Sequence, residues 1–216
     1  RAAGLPLVVG LERGDFTKGI PERLAAIAEA FRRDARFAYL GIAAPTREGV
    51  RAYDALDLAV DAASSEAREA AIEAGGTFSH VRANVGWEDV VALQRDADVV
   101  FTSSLADGQN LVPLQAALAQ SLRPPEERAV IITGRDAGAA STFAAFVGEG
   151  LVVVDPLDSG AMAESLSEAL EGRPGRISDR FIDVRFQKRA HNPLLLAAGF
   201  DQTDVPVPWL GNKRLR

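Results

Sequence analysis

The stretch Ala97-Asp98-Val99-Val100-Phe101-Thr102-Ser103-Ser104-Leu105-Ala106-Asp107-Gly108-Gln109-Asn110-Leu111-Val112-Pro113 contains a whole strand-to-helix unit. Ala97–Ser103 is apolar and β-branched enough for a strand, and Asp107-Gly108 is a turn dipeptide. Pro113 fits the first turn of a helix over Gln109–Leu122, where a missing N–H does no harm. Working outward, the same alternation recurs on both sides. Strands are predicted over Leu5–Gly10, Arg36–Ile42, Thr77–Val81, Arg128–Gly134 and Gly150–Asp155. Val130–Ile132 and Leu151–Val154 are unbroken apolar runs, as strands covered on both faces require. Leu24, Ile27, Ala28 and Phe31 keep the spacing of one buried helix face. Gly49–Ala74 reads as one long solvated helix or two shorter ones; Trp87–Arg95 and Asp158–Glu171 are helical too. Strand and helix in alternation predict an α/β fold, a Rossmann-like doubly wound parallel sheet. The pattern breaks near Gly172, so the expected division is a Rossmann-like domain over 1–171 and a C-terminal extension over 172–216.

Composition narrows the function. At 47% hydrophobic and 25% charged, the 216 residues are those of an ordinary globular chain. A formal net charge of -6 argues against a general nucleic-acid binder. With no cysteine and only His80 and His191 as histidines, thiolate sites are excluded and a His-rich metal site is not expected. Neither His has motif support, and His80 is expected to be structural or solvent-facing. No apolar run approaches the roughly 20 residues that span a bilayer, and no signal peptide is visible. The expectation is a cytoplasmic protein with no membrane role. The opening Arg1-Ala2-Ala3-Gly4-Leu5-Pro6, running directly into a strand, reads as a domain cut from a longer chain.

In doubly wound sheets ligands bind beyond the carboxyl ends of the strands, near helix N-termini. Three loops fall there. In Gly10–Ile20, Arg13 and Lys18 can converge on a phosphate among glycines, or be solvated charges on a polar loop. In the Ser103–Pro113 stretch, Asp107 can accept sugar hydroxyls or serve as a turn residue, and the amides at the helix start suit a diphosphate. In Thr133–Ala140, small residues allow close packing or close ligand approach. Spacing alone favours the plainer reading of each. Neither a Walker loop nor a Gly-x-Gly-x-x-Gly fingerprint follows the first strand, which argues against a dinucleotide cofactor.

Taken in order, these segments resemble the C-terminal domain of the trehalose-6-phosphate synthase family. The resemblance rests on Glu12-Arg13-Gly14-Asp15-Phe16-Thr17-Lys18-Gly19, with Gly14 where Leu is usual, and on Ala44-Pro45-Thr46-Arg47 with Tyr53 after it. It continues through Ala97-Asp98-Val99 and Leu105-Ala106-Asp107-Gly108-Gln109-Asn110-Leu111-Val112 to Ala137-Gly138-Ala139-Ala140 and Val154-Asp155-Pro156-Leu157-Asp158. It covers residues 5 to 171 or so.

The resemblance implies one half of a retaining GT-B glycosyltransferase, the half that binds a nucleotide diphosphate sugar. The implied substrates are that donor and a sugar phosphate acceptor, with no cofactor and no metal. The implied partner is an N-terminal GT-B domain, without which this chain is expected to be inactive; homo-oligomerisation is left open. The resemblance places Arg13 and Lys18 on the diphosphate and Asp107 on the transferred sugar. It places the amides of Gly108, Gln109 and Asn110 on the sugar hydroxyls, those of Leu111 and Val112 near the phosphates, and Arg47 on the acceptor phosphate. Gln115 departs from the family, which carries an acid there, eight residues after the loop aspartate, for the ribose hydroxyls. An amide replaces only part of a carboxylate's accepting capacity, a loss on the order of 1 kcal/mol. Leu114 and Gln109 depart as well, from Lys and Met. These departures keep two alternatives in view: a pseudo-glycosyltransferase coupling cyclitols, and a non-catalytic regulator binding nucleotide sugar or sugar phosphate.

Overall fold

A computed structural model describes residues 4–47, 49–173 and 175–182. Its centre is one parallel six-stranded sheet in the order β3-β2-β1-β4-β5-β6. The strands are β1 (Leu7–Arg13), β2 (Ala38–Ala44), β3 (Thr77–Arg82), β4 (Val99–Phe101), β5 (Val130–Gly134) and β6 (Leu151–Val154). This is the doubly wound order, with its topological switch between β1 and β4. The six predicted strands are present, and β1 and β2 run to Arg13 and Ala44, past their expected ends.

Alternate residues along the central strands serve two separate cores, which is why these runs are apolar throughout. Val8, Val99, Phe101, Val130 and Ile132 belong to one core, with α1 (Ile20–Arg32), α2 (Arg51–Ala74) and α6 (Ser159–Leu170). Val9, Val100, Ala129 and Ile131 belong to the other, with α4 (Val112–Gln120), α5 (Gly138–Thr142) and α7 (Asp179–Ile182). On that second face α3 (Trp87–Asp96) packs on α4.

Leu24, Ile27, Ala28 and Phe31 are all buried, as their spacing predicts. Arg23, on the same helix, is buried with them, which the spacing does not predict. The segment after Gly49 is a single 24-residue helix whose buried stripe includes Tyr53, Leu56, Val60, Ser64 and Ala67. Its small residues let α2 lie close to α1, and Gly75 ends it at φ 68°.

Two boundaries differ from expectation. The helix predicted from Gln109 begins at Val112 instead. The Asp107 carboxylate accepts hydrogen bonds from the amides of Gln109 and Asn110, and Asn110 adopts φ 50°, so this segment forms an Asx-type turn rather than a helical one. The second difference lies beyond Gly172. Ile177 and Phe181 are buried, and Phe181 stacks on Phe146 with ring centroids 4.6 Å apart. The core of the sheet domain therefore continues through α7. His191, Pro206, Pro208 and Trp209 lie outside the described residues.

Candidate functional site

The three loops singled out in the sequence come together at the carboxyl edge of the sheet. After β1 the chain passes Gly14 and Asp15 and makes a short 3-10 turn over Phe16–Lys18. The Asp15 carboxylate accepts from the Thr17 amide, and Gly19, at φ 60°, turns the backbone into α1. A side chain at Gly19 would put its Cβ 2.3 Å from the Ser103 carbonyl oxygen, so the loop needs glycine for close approach as well as for its backbone angle.

Backbone bonds tie this loop to the one after β4. The amides of Leu105 and Ala106 both donate to the Thr17 carbonyl, at 2.8 and 3.4 Å. The Ser103 hydroxyl donates to the Gly19 carbonyl at 2.7 Å, with the Lys18 carbonyl 3.0 Å away. The third loop is tied to the second in turn: the Gly138 amide donates to the Asp107 carbonyl and the Asp107 amide to Asp136. A Cβ at Gly134 would lie 2.4 Å from the Ser104 carbonyl oxygen, and one at Gly138 would lie 2.1 Å from that of Gly108. The small residues of the third loop therefore serve close packing of backbone on backbone.

Lys18 and Asp107 meet in this frame. The ammonium forms an ion pair with Oδ2 of Asp107, both side chains mostly shielded from solvent. Oδ1 accepts from the amides of Gln109 and Asn110 at 3.3 and 3.1 Å. Burial raises the Asp107 pKa, but the Lys18 hydrogen bond and charge, with the two amides, outweigh it and hold the carboxyl below its ordinary value. The Val112 amide donates to Oδ1 of Asn110, whose own amide group donates to Ser104. In this structure the amides of Gln109, Asn110 and Val112 thus point at side chains of their own loop. Leu111 and Gly108 are exposed at its rim, and Gln115 sits half-buried in the first turn of α4.

Arg13 stands exposed at the end of β1, and among the described residues no ion pair or hydrogen bond engages its side chain. Arg47 follows β2 at φ 51°, its guanidinium 5.8 Å from the centre of the Tyr53 ring. Tyr53 in turn meets Phe16 edge-on at 4.9 Å, so an aromatic pair links the Arg47 loop to the Lys18 loop. Beside them opens a cleft of about 360 Å³ lined by Thr46, Tyr53, Asp57, His80 and Arg82. His80 lies within β3, and burial, followed by the charges of Arg23 and Arg82, lowers its pKa to about 4. At neutral pH its imidazole is therefore uncharged.

Beneath the loops lies a polar group that the sequence reading missed. Arg23 is fully buried, paired with Glu12 and donating to the Tyr39 hydroxyl at 3.1 Å and to Ser103 at 3.4 Å. The signal was available: a charge at i+3 from Ile20 and i-4 from Ile27 lies on the apolar face of α1.

Residues 2–187 match the family model described as glycosyltransferase family 20. The chain is 29% identical over 182 residues to alpha,alpha-trehalose-phosphate synthase [UDP-forming] 1 of Arabidopsis thaliana, covering 79% of this chain and 18% of that protein. It is 28% identical over 184 residues to the UDP-forming synthase of Yarrowia lipolytica, covering 79% of this chain and 36% of that one. Among solved structures, it is similar to the UDP-forming synthase from Burkholderia xenovorans in complex with glucose-6-phosphate. That similarity has a TM-score of 0.69 at 26% identity, over 85% of this chain and 38% of the other. The E. coli structure bound with UDP-2-fluoro glucose shares the fold at a TM-score of 0.74 and 24% identity, over 85% and 41% of the two chains. The chain thus spans from under a fifth to about two fifths of the length of these relatives.

Proposed function

The chain belongs to glycosyltransferase family 20, and from that premise we propose that its carboxyl-edge loops hold a nucleotide diphosphate sugar. In this reading the whole protein transfers the glycosyl unit, with retention, to a sugar phosphate, giving a phosphorylated disaccharide such as trehalose-6-phosphate. The observation that carries it is the Lys18–Asp107 pair, a cation and a carboxylate brought from separate loops to one half-buried point beside the start of α4.

The chemistry follows from the charges. Breaking the bond between sugar and diphosphate leaves negative charge on the departing phosphate. In this reading Lys18, Arg13 and the N-terminus of α4 are the positive groups that receive it. Asp107 accepts hydrogen bonds from the sugar hydroxyls, and the amides of Gly108, Gln109 and Asn110 line the same turn. Donor binding then exchanges the Lys18–Asp107 contact for contacts with phosphate and sugar, and frees amides that now point inward. Leu111 and Val112 flank the phosphates, and Gln115 faces the ribose. Arg47 takes the acceptor's phosphate. The reading calls on no metal and no protein nucleophile. Because the curated relatives are UDP-forming, uridine is the first base to test. Because the chain spans less than half of them, turnover is assigned to the chain together with a second, N-terminal domain.

Calorimetric titration with UDP, GDP and ADP and their glucose conjugates tests this. Saturable binding of one base series, lost in Arg13→Ala, is expected; equal affinity in wild type and Arg13→Ala would remove the donor-site reading.

A further inference from the structure

A fully buried guanidinium is costly, because taking the charge out of water carries a penalty of several kcal/mol per ion that only well-placed partners offset. The needs of the apolar face of α1 are met by Leu24, Ile27 and Phe31, and packing alone gives no reason for Arg23 among them. The sheet also makes room for it. Gly10 and Gly41 are directly paired between β1 and β2. A Cβ at Gly10 would stand 3.0 Å from the Arg23 guanidinium carbon and 2.9 Å from the Tyr39 hydroxyl, and one at Gly41 would stand 2.4 Å from the His80 ring and 2.8 Å from that hydroxyl. Glycine weakens a strand interior, yet β1 gives up a side chain beside Arg23 and Tyr39, and β2 gives one up beside Tyr39 and His80.

The contacts of Arg23 lead to the loop above it. Glu12, its ion-pair partner, immediately precedes Arg13. Ser103, whose hydroxyl Arg23 contacts, donates to the carbonyl of Gly19 and lies beside that of Lys18. Ser103 also begins the segment that carries Asp107. We propose that Arg23 and Ser103 are positioning residues of the nucleotide-sugar site: one buried guanidinium holds Glu12 and Ser103, and through them fixes the Arg13–Lys18 loop against the Asp107 loop. The inference rests on the donor-site reading for its functional meaning. Its geometry is independent of any ligand.

The test uses the carboxyl of Asp107 as a reporter, since that group senses Lys18 directly. The Asp107 pKa is measured by carbon-13 NMR in the 216-residue chain, in Ser103→Ala, and in the paired variant Glu12→Gln/Arg23→Met, which removes both buried charges together. UDP affinity and melting temperature are measured alongside. The expected result is an Asp107 pKa moved up toward the ordinary aspartate value in both variants. UDP affinity is expected to fall about ten-fold, the size of coupling usual within one polar network, with cooperative melting retained. An Asp107 pKa unchanged in both variants overturns the proposal whatever happens to affinity. A wild-type chain that binds none of UDP, GDP or ADP while the Asp107 pKa still responds keeps the positioning array and removes the donor-site reading instead.

Discussion

Lys18 and Asp107 lie 89 residues apart in sequence, yet the ammonium of one rests against the carboxylate of the other at the carboxyl edge of the sheet. The two are partners before any ligand arrives, so a diphosphate that recruits Lys18 competes with Asp107 for it.

Asp107→Asn separates the two roles. It removes the competitor for Lys18, so UDP is expected to bind at least as well as in wild type. It also removes the charged acceptor for sugar hydroxyls, so the affinity for UDP-glucose relative to UDP is expected to fall about ten-fold, the weight of one charge-assisted bond. Lys18→Ala should weaken both ligands without unfolding the domain. Calorimetry of both ligands on both variants decides; parallel losses for UDP and UDP-glucose in Asp107→Asn would contradict the assignment of Asp107 to the sugar. The pair also sets an acid sensitivity. The folded pKa of Asp107 is depressed below 3.8, so its stabilisation is whole above that value and is lost as pH falls through the folded pKa. Asp107→Asn should flatten that limb of the melting profile.

Gly138 shows how a backbone contact joins the site to the fold. A methyl group at 138 would meet the Gly108 carbonyl oxygen at 2.1 Å, so the loop that carries Asp107 has to move. Gly138 itself begins a five-residue helix and does not have a left-handed backbone, so the helix tolerates alanine. Gly138→Ala is expected to lower UDP-glucose affinity at least ten-fold, as loss of a positioned contact does, and to lower the melting temperature too, since the atoms it meets are backbone. Unchanged affinity would mean that the loop position is not critical.

The sheet was legible because strands covered on both faces must be apolar at every residue, and Val130–Ile132 and Leu151–Val154 show that plainly. The site loops were legible as places, since strand ends and helix starts punctuate the chain, but their residues' partners were not. Asn110 in a left-handed conformation and the late start at Val112 come from one carboxylate bonding its own loop, a choice that propensity does not reveal. Spacing puts Arg23 on the apolar face of α1 but does not show its partners, and those of Gln120 are hidden for a related reason. A polar residue on a helix face is by default solvated, and only its long-range partners make burial tolerable.

Gln120 is the clearest structural case. At the end of α4 its side-chain amide donates to the carbonyls of Gln94, Arg95 and Ala97, at 2.6, 3.0 and 3.1 Å, and its oxygen accepts from the Ala129 amide at 2.8 Å. Gln120, with Arg123 donating to the Arg95 and Ala97 carbonyls, thus serves the backbone where α3 turns into β4, and Gln120 also serves it where β5 begins. Gln120→Leu keeps the size, but the Gln94 carbonyl and the Ala129 amide lose this partner, while Arg123 still reaches the carbonyls of Arg95 and Ala97. The loss of the two costs roughly 2–4 kcal/mol. Urea denaturation measures it. A change under about 0.5 kcal/mol, the range of ordinary surface substitutions, would show that water replaces the lost bonds.

His80 predicts a second, milder pH effect. Desolvation, then the charges of Arg23 and Arg82, hold its folded pKa near 4 against an ordinary value of 6.5. Above 6.5 both folded and unfolded chains carry a neutral imidazole, so His80 adds no pH dependence there. As pH falls below that value the unfolded chain takes up a proton that the folded chain refuses, and stability declines until the folded imidazole titrates near 4. Asp61, paired with Arg82, is the carboxylate whose charge pulls the His80 value the other way, and it is outweighed. His80→Gln, which keeps a polar group at the cleft without a titrating ring, should remove this slope. Melting temperatures of the two proteins at closely spaced pH values between 4 and 7 should diverge toward the acid end. Parallel curves would show that the His80 ring exchanges protons freely with solvent in the folded chain.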